Sequence, residues 1–213
     1  MTVNDVETFN VWTIRATRRF SLREIYQITH DALRTMRCFR VFRHTQSAQW
    51  SSRIMLAVTE VNGCALCAYG HAKYALGTGM NTEEVRQLLG GITQGAPDEE
   101  LAAIGFAQHY ADTRAHPDKE AWDRLVQGYG LDVARGVLGA TRMIMMGNAL
   151  GMPLSSLRAR LKGNPHPDSS VGYEIGAILG SGVVIPIAVL HAAVSTIRRT
   201  PLIAFPPAGD ARR

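Results

Sequence analysis

The centre of the sequence reads Asn62-Gly63-Cys64-Ala65-Leu66-Cys67-Ala68-Tyr69-Gly70-His71. Four side chains capable of acid–base or thiol chemistry lie in this stretch or just before it: Glu60, Cys64, Cys67 and His71. Their spacings of 4, 3 and 4 residues would align them along a single face of one α-helix. A dithiol beside an imidazole on one helix predicts redox chemistry.

The spacing of the two cysteines permits a disulfide, because residues three apart on a helix have Cα atoms about 5 Å apart, inside the usual window of roughly 4.4–6.8 Å. Two accounts of the reactive sulfur are open, since the thiolate is the nucleophile in either case. In one, His71 takes the proton of Cys67, with Glu60 orienting the imidazole. In the other, a helix begins at Asn62, and the free N–H groups of its first turn stabilise the thiolate of Cys64.

The composition predicts one main globular domain, since the chain has 213 residues of which 46% are apolar. Three cysteines and the lack of an export signal predict a cytoplasmic protein, in which a disulfide would be transient and functional. The net charge of +5 comes largely from arginines near the two ends, and no nucleic-acid-reading motif accompanies them. We therefore expect no nucleic-acid partner. No phosphate-cradling glycine motif occurs in the right context, so no nucleotide, flavin or haem cofactor is expected.

Helical periodicity and turn signals recur along the chain, and no alternation of period two appears, which predicts an all-α fold. A capping box at Ser21-Leu22-Arg23-Glu24 opens the first helix. The predicted helices cover residues 21–43, 51–61, 62 or 63 to 76, 81–89, 97–112, 119–127 and 132–150. We divide the chain into an N-terminal extension, a helical domain and a C-terminal extension, at 1–20, 21–165 and 166–213.

The C-terminal extension contains a long apolar run, from Ile175 to Ile197, without any Asp, Glu, Lys or Arg. Its length reaches the roughly 20 residues that a membrane-spanning helix needs. Pro186 and several glycines within the run lower its suitability for a membrane span. We therefore expect a buried or oligomer-interface helix, with membrane association as the alternative that is not favoured.

Together with Ala75-Leu76-Gly77, Thr82-Glu83-Glu84 and the later Gly147-Asn148-Ala149-Leu150-Gly151-Met152-Pro153-Leu154, the central stretch resembles the carboxymuconolactone decarboxylase superfamily. The resemblance is strongest to its alkyl hydroperoxidase D branch, which carries a C-x-x-C-x-x-x-H motif, and it covers about residues 30 to 160. It implies an oligomeric helical bundle, a homotrimer or homohexamer, that reduces hydroperoxides with its cysteine pair.

The resemblance also implies roles for individual residues. His71 would belong to a proton relay that activates Cys67, and Cys64 would resolve the resulting sulfenic acid into a disulfide. A dithiol partner would then reduce that disulfide, without a metal or cofactor. The chain departs from the branch at Ser52, where the branch has its relay glutamate, and at Leu66, where the best-studied type has a second histidine. Glu60 is the candidate substitute for the missing glutamate.

Two other classes of site fit the same residues. Zinc accepts cysteine, histidine and carboxylate ligands, so Glu60, Cys64, Cys67 and His71 form a possible ligand set. Structural zinc sites usually draw their ligands from two separated pairs, and only one pair is present here. The second alternative is a non-catalytic binding or assembly protein on the same fold. One form of this alternative associates with a membrane through residues 175–197.

Overall fold

The computed structural model describes residues 18–205. Across these residues every regular element is an α-helix, which confirms the all-α prediction. Nearly all of the predicted N-terminal extension, residues 1–20, lies outside the described residues. The helices are α1 (Leu22–Thr45), α2 (Ala48–Asn62), α3 (Ala65–Gly77), α4 (Thr82–Leu89), α5 (Asp98–Asp112), α6 (Lys119–Leu161) and α7 (Val171–Ile197).

The predicted capping box opens α1. The hydroxyl of Ser21 accepts a hydrogen bond from the Glu24 backbone N–H, and the Glu24 carboxylate accepts one from the Ser21 backbone N–H at 2.8 Å. The two bonds satisfy N–H groups that a helix start otherwise leaves without partners. The cap of α1 is therefore supplied by residues three positions apart in the sequence.

Helix α6 joins two of the predicted helices and continues beyond them. The chain is non-helical at Gly130, with φ 76° and ψ 161°, so a break lies where the sequence predicts a gap between helices 119–127 and 132–150. The second part extends past the predicted end at 150 and through Pro153 to Leu161. Pro153 lacks the N–H that would bond one turn back, yet it is buried, so tertiary packing holds this part of the helix.

The core forms where α6 packs against α1, α2 and α5. Its largest fully buried side chains include Tyr110, Phe42, Ile25, Ile54, Leu138 and Met145. Helix α6 is therefore the central element, and the cysteine stretch reaches the core by packing against it.

The apolar run lies in α7, which packs on α1 and α6. The contact is a narrow stripe of buried residues, all of them small except the ion-paired Glu174. That stripe consists of Glu174, Ala177, Ser181, Ala188, Ala192 and Ser195. By length and composition α7 is also apolar enough to cross a membrane, and most of it is not buried. The expected burial is thus limited to one face of the helix.

Candidate functional site

The two cysteines lie at the junction of α2 and α3. Gly63 ends α2 in the left-handed region, with φ 72° and ψ 35°, a conformation that glycine adopts without steric cost. Cys64 then caps α3, and its sulfur accepts a hydrogen bond from the Cys67 backbone N–H at 3.3 Å. The two cysteines form a disulfide with their Cα atoms 5.2 Å apart. The turn at Gly63 therefore sets the geometry of the pair.

The helix break corrects two expectations from the sequence. The four residues do not share one helical face, because Gly63 separates Glu60 in α2 from Cys67 and His71 in α3. The alternative helix start at Asn62 is also wrong, because Asn62 is the last residue of α2. Cys64 does lie at a helix N-terminus, but as the cap itself rather than in the first turn.

The two sulfurs differ in access to solvent. Cys64 is fully buried in the main core, whereas Cys67 is half-buried at its edge. Leu66, between them, is 39% exposed and faces outward. A molecule approaching from solvent therefore meets the sulfur of Cys67 first.

Helix α6 contacts the disulfide at two glycines one turn apart. A Cβ atom added to Gly151 would lie 2.8 Å from the sulfur of Cys67 and 3.5 Å from that of Cys64. The sulfur of Cys67 lies 4.0 Å from the carbonyl oxygen of Gly147. Residue 151 must therefore be glycine for the disulfide to approach α6 this closely. The sequence marked this segment only as part of the family resemblance, and its contact with the sulfurs was missed.

His71 lies one turn after Cys67 on α3, as its spacing predicts. Burial of the imidazole lowers the pKa of His71 to about 4. No hydrogen bond or ion pair joins this imidazole to another side chain within residues 18–205, so no carboxylate there orients it. The ring is therefore neutral at pH 7 and can accept a proton.

Glu60 lies beside a different neighbour. Its carboxylate faces Gly91, where an added Cβ atom would lie 3.4 Å from one oxygen. Burial raises the pKa of Glu60 above its usual value, and the nearby Arg18 guanidinium offsets part of that rise. In the described part of the chain, no hydrogen bond connects Glu60 with His71 or with either cysteine. Its predicted orienting role has no contact to support it.

Ser52 is buried, and its hydroxyl donates a hydrogen bond to the Ala48 carbonyl at 2.8 Å. The adjacent Arg53 is also buried. Its guanidinium bonds the Glu84 carboxylate at 2.6 Å and the Glu100 carboxylate at 2.9 and 3.0 Å. Burial raises the pKa of Glu100, and Arg53 opposes that rise. This ion cluster joins α2, α4 and α5, and the separation of its members along the chain hid it from sequence analysis.

A buried polar network lies next to the junction, between α2 and α6. The Asn148 amide donates to the Thr59 hydroxyl at 3.2 Å, and the Asn62 amide donates to the Met145 sulfur at 3.0 Å. The Asn62 side-chain oxygen is buried and has no hydrogen-bond partner within the described residues. These contacts fix the end of α2 against α6, immediately before the cysteines.

The zinc alternative requires a different arrangement of ligands. Within residues 18–205 no group of three or more His, Cys, Asp or Glu side chains is placed to hold a metal ion. The two cysteine sulfurs are bonded to each other, and Glu60 lies on the other side of the break at Gly63. The arrangement fits thiol–disulfide chemistry.

The chain matches no family model, and no curated protein and no solved structure matches it. The function is therefore argued from the geometry of its own residues.

We predict that Gly151→Ala displaces the disulfide, because its new Cβ atom would contact the Cys67 sulfur at 2.8 Å. Overpacking of this kind costs about 1–3 kcal/mol of unfolding free energy, partly offset by the higher helix propensity of alanine. Gly147→Ala is the matched control, since nothing lies within 4 Å of its added Cβ. Denaturant unfolding of the oxidised proteins measures both. Equal stability of the two variants would contradict the close approach.

We predict that the pKa of His71 depends on the redox state of the cysteines. In the disulfide form the pKa is about 4. Reduction opens the disulfide and places a Cys67 thiol one turn away, and the negative charge of this sulfur, once the thiol ionises, favours the imidazolium and raises the pKa of His71. An NMR titration, assigned with His71→Gln, measures both states, and Cys67→Ser should remove the rise. If reduction leaves the pKa of His71 unchanged, the charge on the Cys67 sulfur does not affect the imidazole, and the prediction is wrong.

Proposed function

We propose that this protein is a thiol-dependent peroxidase or disulfide oxidoreductase that reduces hydroperoxides through a Cys64–Cys67 dithiol–disulfide cycle. The observation that carries the proposal is the asymmetry of the pair, in which Cys64 is fully buried and Cys67 half-buried. An attacking cysteine needs access to its substrate, whereas a resolving cysteine needs access only to its partner. We assign the attack to Cys67 and the resolving step to Cys64.

In the first step, His71 takes the thiol proton of Cys67, and the thiolate attacks the terminal oxygen of the hydroperoxide. An S–O bond forms and the O–O bond breaks. Cys67 is oxidised to a sulfenic acid, and the peroxide is reduced to an alkoxide. The imidazolium of His71 returns the proton to this alkoxide, which leaves as an alcohol.

In the second step, the sulfur of Cys64 attacks the sulfenic sulfur of Cys67. The S–S bond forms, the S–O bond breaks, and hydroxide leaves as water with the proton of Cys64. An external dithiol then attacks the accessible sulfur of Cys67 by thiol–disulfide exchange. The external dithiol becomes a disulfide, and both cysteines return to thiols.

We propose that the scaffold is a helical bundle of the alkyl hydroperoxidase D-like type, working as a cytoplasmic homotrimer or homohexamer. Support comes from the C-x-x-C-x-x-x-H motif at a helix start and from the Gly147–Leu154 segment packed against it. Ser52 lacks the carboxylate that would extend the relay, so within residues 18–205 His71 acts without a carboxylate partner. We therefore expect proton transfer to be slower than in the branch.

We predict that Cys67→Ser abolishes peroxide consumption. Without added dithiol, Cys64→Ser should complete the first step only, because the cysteine that resolves the sulfenic acid of Cys67 is missing. The consumption of peroxide with a dithiol reductant measures turnover, and dimedone labelling with mass spectrometry detects the trapped sulfenic acid. Cys38→Ser is the matched control, since Cys38 is a free, half-buried cysteine outside the motif, and it should retain activity. Full consumption by both motif variants would overturn the proposal.

A second candidate function is assembly or binding without catalysis, and the surface of α7 favours it. Nine large apolar side chains of this helix are 44–81% exposed: Val171, Ile175, Leu179, Val183, Ile187, Val189, Leu190, Val194 and Ile197. Apolar patches of this extent usually mark an interface with another protein or with a membrane. The same surface is compatible with the oligomer of the first proposal.

For this second candidate, we predict that the double variant Leu179→Gln/Leu190→Gln sediments as a smaller species than the parent chain. The two leucines are 70% and 69% exposed, so the variant removes apolar surface without disturbing the core. Leu161→Gln is the control, because Leu161 is 80% exposed at the end of α6. If the parent chain floats with lipid vesicles and the double variant does not, the partner of this face is a membrane instead. Identical sedimentation and no flotation for both chains would exclude a role for this face.

A further inference from the structure

A cavity of about 690 Å³ lies away from the cysteines, where α1, α7, the loop between α5 and α6, and residues 201–205 meet. Its volume falls within the roughly 300–1,000 Å³ typical of small-molecule sites. None of the residues that line it belongs to the cysteine site. The peroxidase proposal therefore leaves this cavity without a role.

Two arginines fix one wall of the cavity. Arg34 donates to the backbone carbonyls of Thr200 and Pro201 at 2.5 and 2.8 Å, and Arg142 donates to that of Leu202 at 2.8 Å. These bonds hold the segment after α7 against α1 and α6. The apolar side chains of the lining include Ile28, Pro117, Leu202, Ile203 and Phe205. The cavity therefore offers an apolar surface bordered by fixed guanidinium groups.

A layer of aromatic and imidazole rings joins α1 to α7 beside this wall. The rings of His30 and His191 stack with centroids 4.3 Å apart, and the Tyr26 hydroxyl lies 2.6 Å from Nδ1 of His191. When Tyr26 donates in this bond, Nε2 of His191 carries the hydrogen. Within residues 18–205 no hydrogen bond occupies Nε2, and His191 is exposed at the cavity. It can donate to a ligand.

The ion pairs of the lining leave one cation, Arg34, without a carboxylate. Four cationic side chains line the cavity (Arg34, Arg114, Arg142 and Lys119), against three carboxylates, and Lys119 pairs with Asp123 outside the lining at 2.5 Å. Each carboxylate has a cationic or imidazole partner: Glu24 with Arg114 at 2.7 Å, Asp31 with Arg142 at 3.4 Å, and Asp118 with His109 at 3.1 Å. Within the described residues no carboxylate pairs with Arg34, whose guanidinium bonds neutral carbonyls. A ligand carboxylate would form the stronger, charge-assisted bond with it.

A hydrolytic site is the rival interpretation, because the Ser195 hydroxyl lies 3.2 Å from Nε2 of His30, whose Nδ1 lies 2.9 Å from Asp31. This order of groups matches a nucleophile triad. Ser195, however, is buried and does not line the cavity. It also lies inside α7, where backbone N–H groups bond within the helix and leave no oxyanion hole. The network therefore serves to position the imidazoles.

We propose that this cavity binds a small organic carboxylate with an apolar body. The carboxylate lies between the guanidinium of Arg34 and Nε2 of His191, and the apolar body lies against Ile28 and Phe205. Arg34 supplies the charge, and His191 supplies a directed donor that Tyr26 holds in place.

The test is isothermal titration calorimetry of the full chain with octanoate, and with 1-octanol as the neutral analogue of the same length. We expect one saturable site for octanoate. Arg34→Gln and His191→Gln should each weaken octanoate binding about ten-fold or more, as expected for loss of a hydrogen bond to a charged group. Arg37→Gln is the matched control, since Arg37 is exposed on the same helix and does not line the cavity.

Arg34→Gln could release residues 200 and 201, whose carbonyls Arg34 holds. His191→Gln avoids this problem, because His191 is exposed and holds no backbone segment. Circular dichroism confirms the fold of each variant. The absence of saturable octanoate binding would overturn the proposal. Equal affinity for 1-octanol, or equal loss of binding in Arg37→Gln and His191→Gln, would also overturn it.

Discussion

The close approach of the Cys64–Cys67 disulfide to α6 is the contact on which the candidate site depends. It requires a left-handed residue at Gly63, so that the chain turns and Cys64 becomes the cap of α3. It also requires the absence of a side chain at Gly151, because any Cβ atom there would collide with sulfur. Two glycines, one in the turn after α2 and one in α6, thus place one sulfur in the core and the other at its edge.

This placement gives the two cysteines different access to solvent. Cys67 is open to a peroxide or to a reducing thiol, whereas Cys64 is shielded until it meets its partner. His71 is desolvated and has no orienting carboxylate within residues 18–205, so its basicity depends on the charge of the neighbouring sulfur. A neutral imidazole beside the disulfide and an imidazolium beside the thiolate would couple proton transfer to the redox state.

Local features of this fold could be predicted from the sequence, and features that depend on distant contacts could not. The capping box at Ser21, the break at Gly130 and the cysteine pair all follow from residues a few positions apart. The alignment of Glu60 with the cysteines on one helical face was wrong, although the predicted boundary between helices 51–61 and 62 or 63 to 76 already separated them, as the left-handed turn at Gly63 does. The contact of Gly151 with the sulfurs joins residues more than 80 positions apart, and helical periodicity carries no information about it.

The measurement that tests the central claim most directly is mass spectrometry of the peptide containing Cys64 and Cys67, after the reduced full chain meets a single equivalent of hydrogen peroxide. Our account predicts that both thiols disappear together and that the mass of the peptide falls by that of two hydrogen atoms. It also predicts that the thiol of Cys38 remains. Retention of both motif thiols, or loss of the Cys38 thiol alone, would contradict the account.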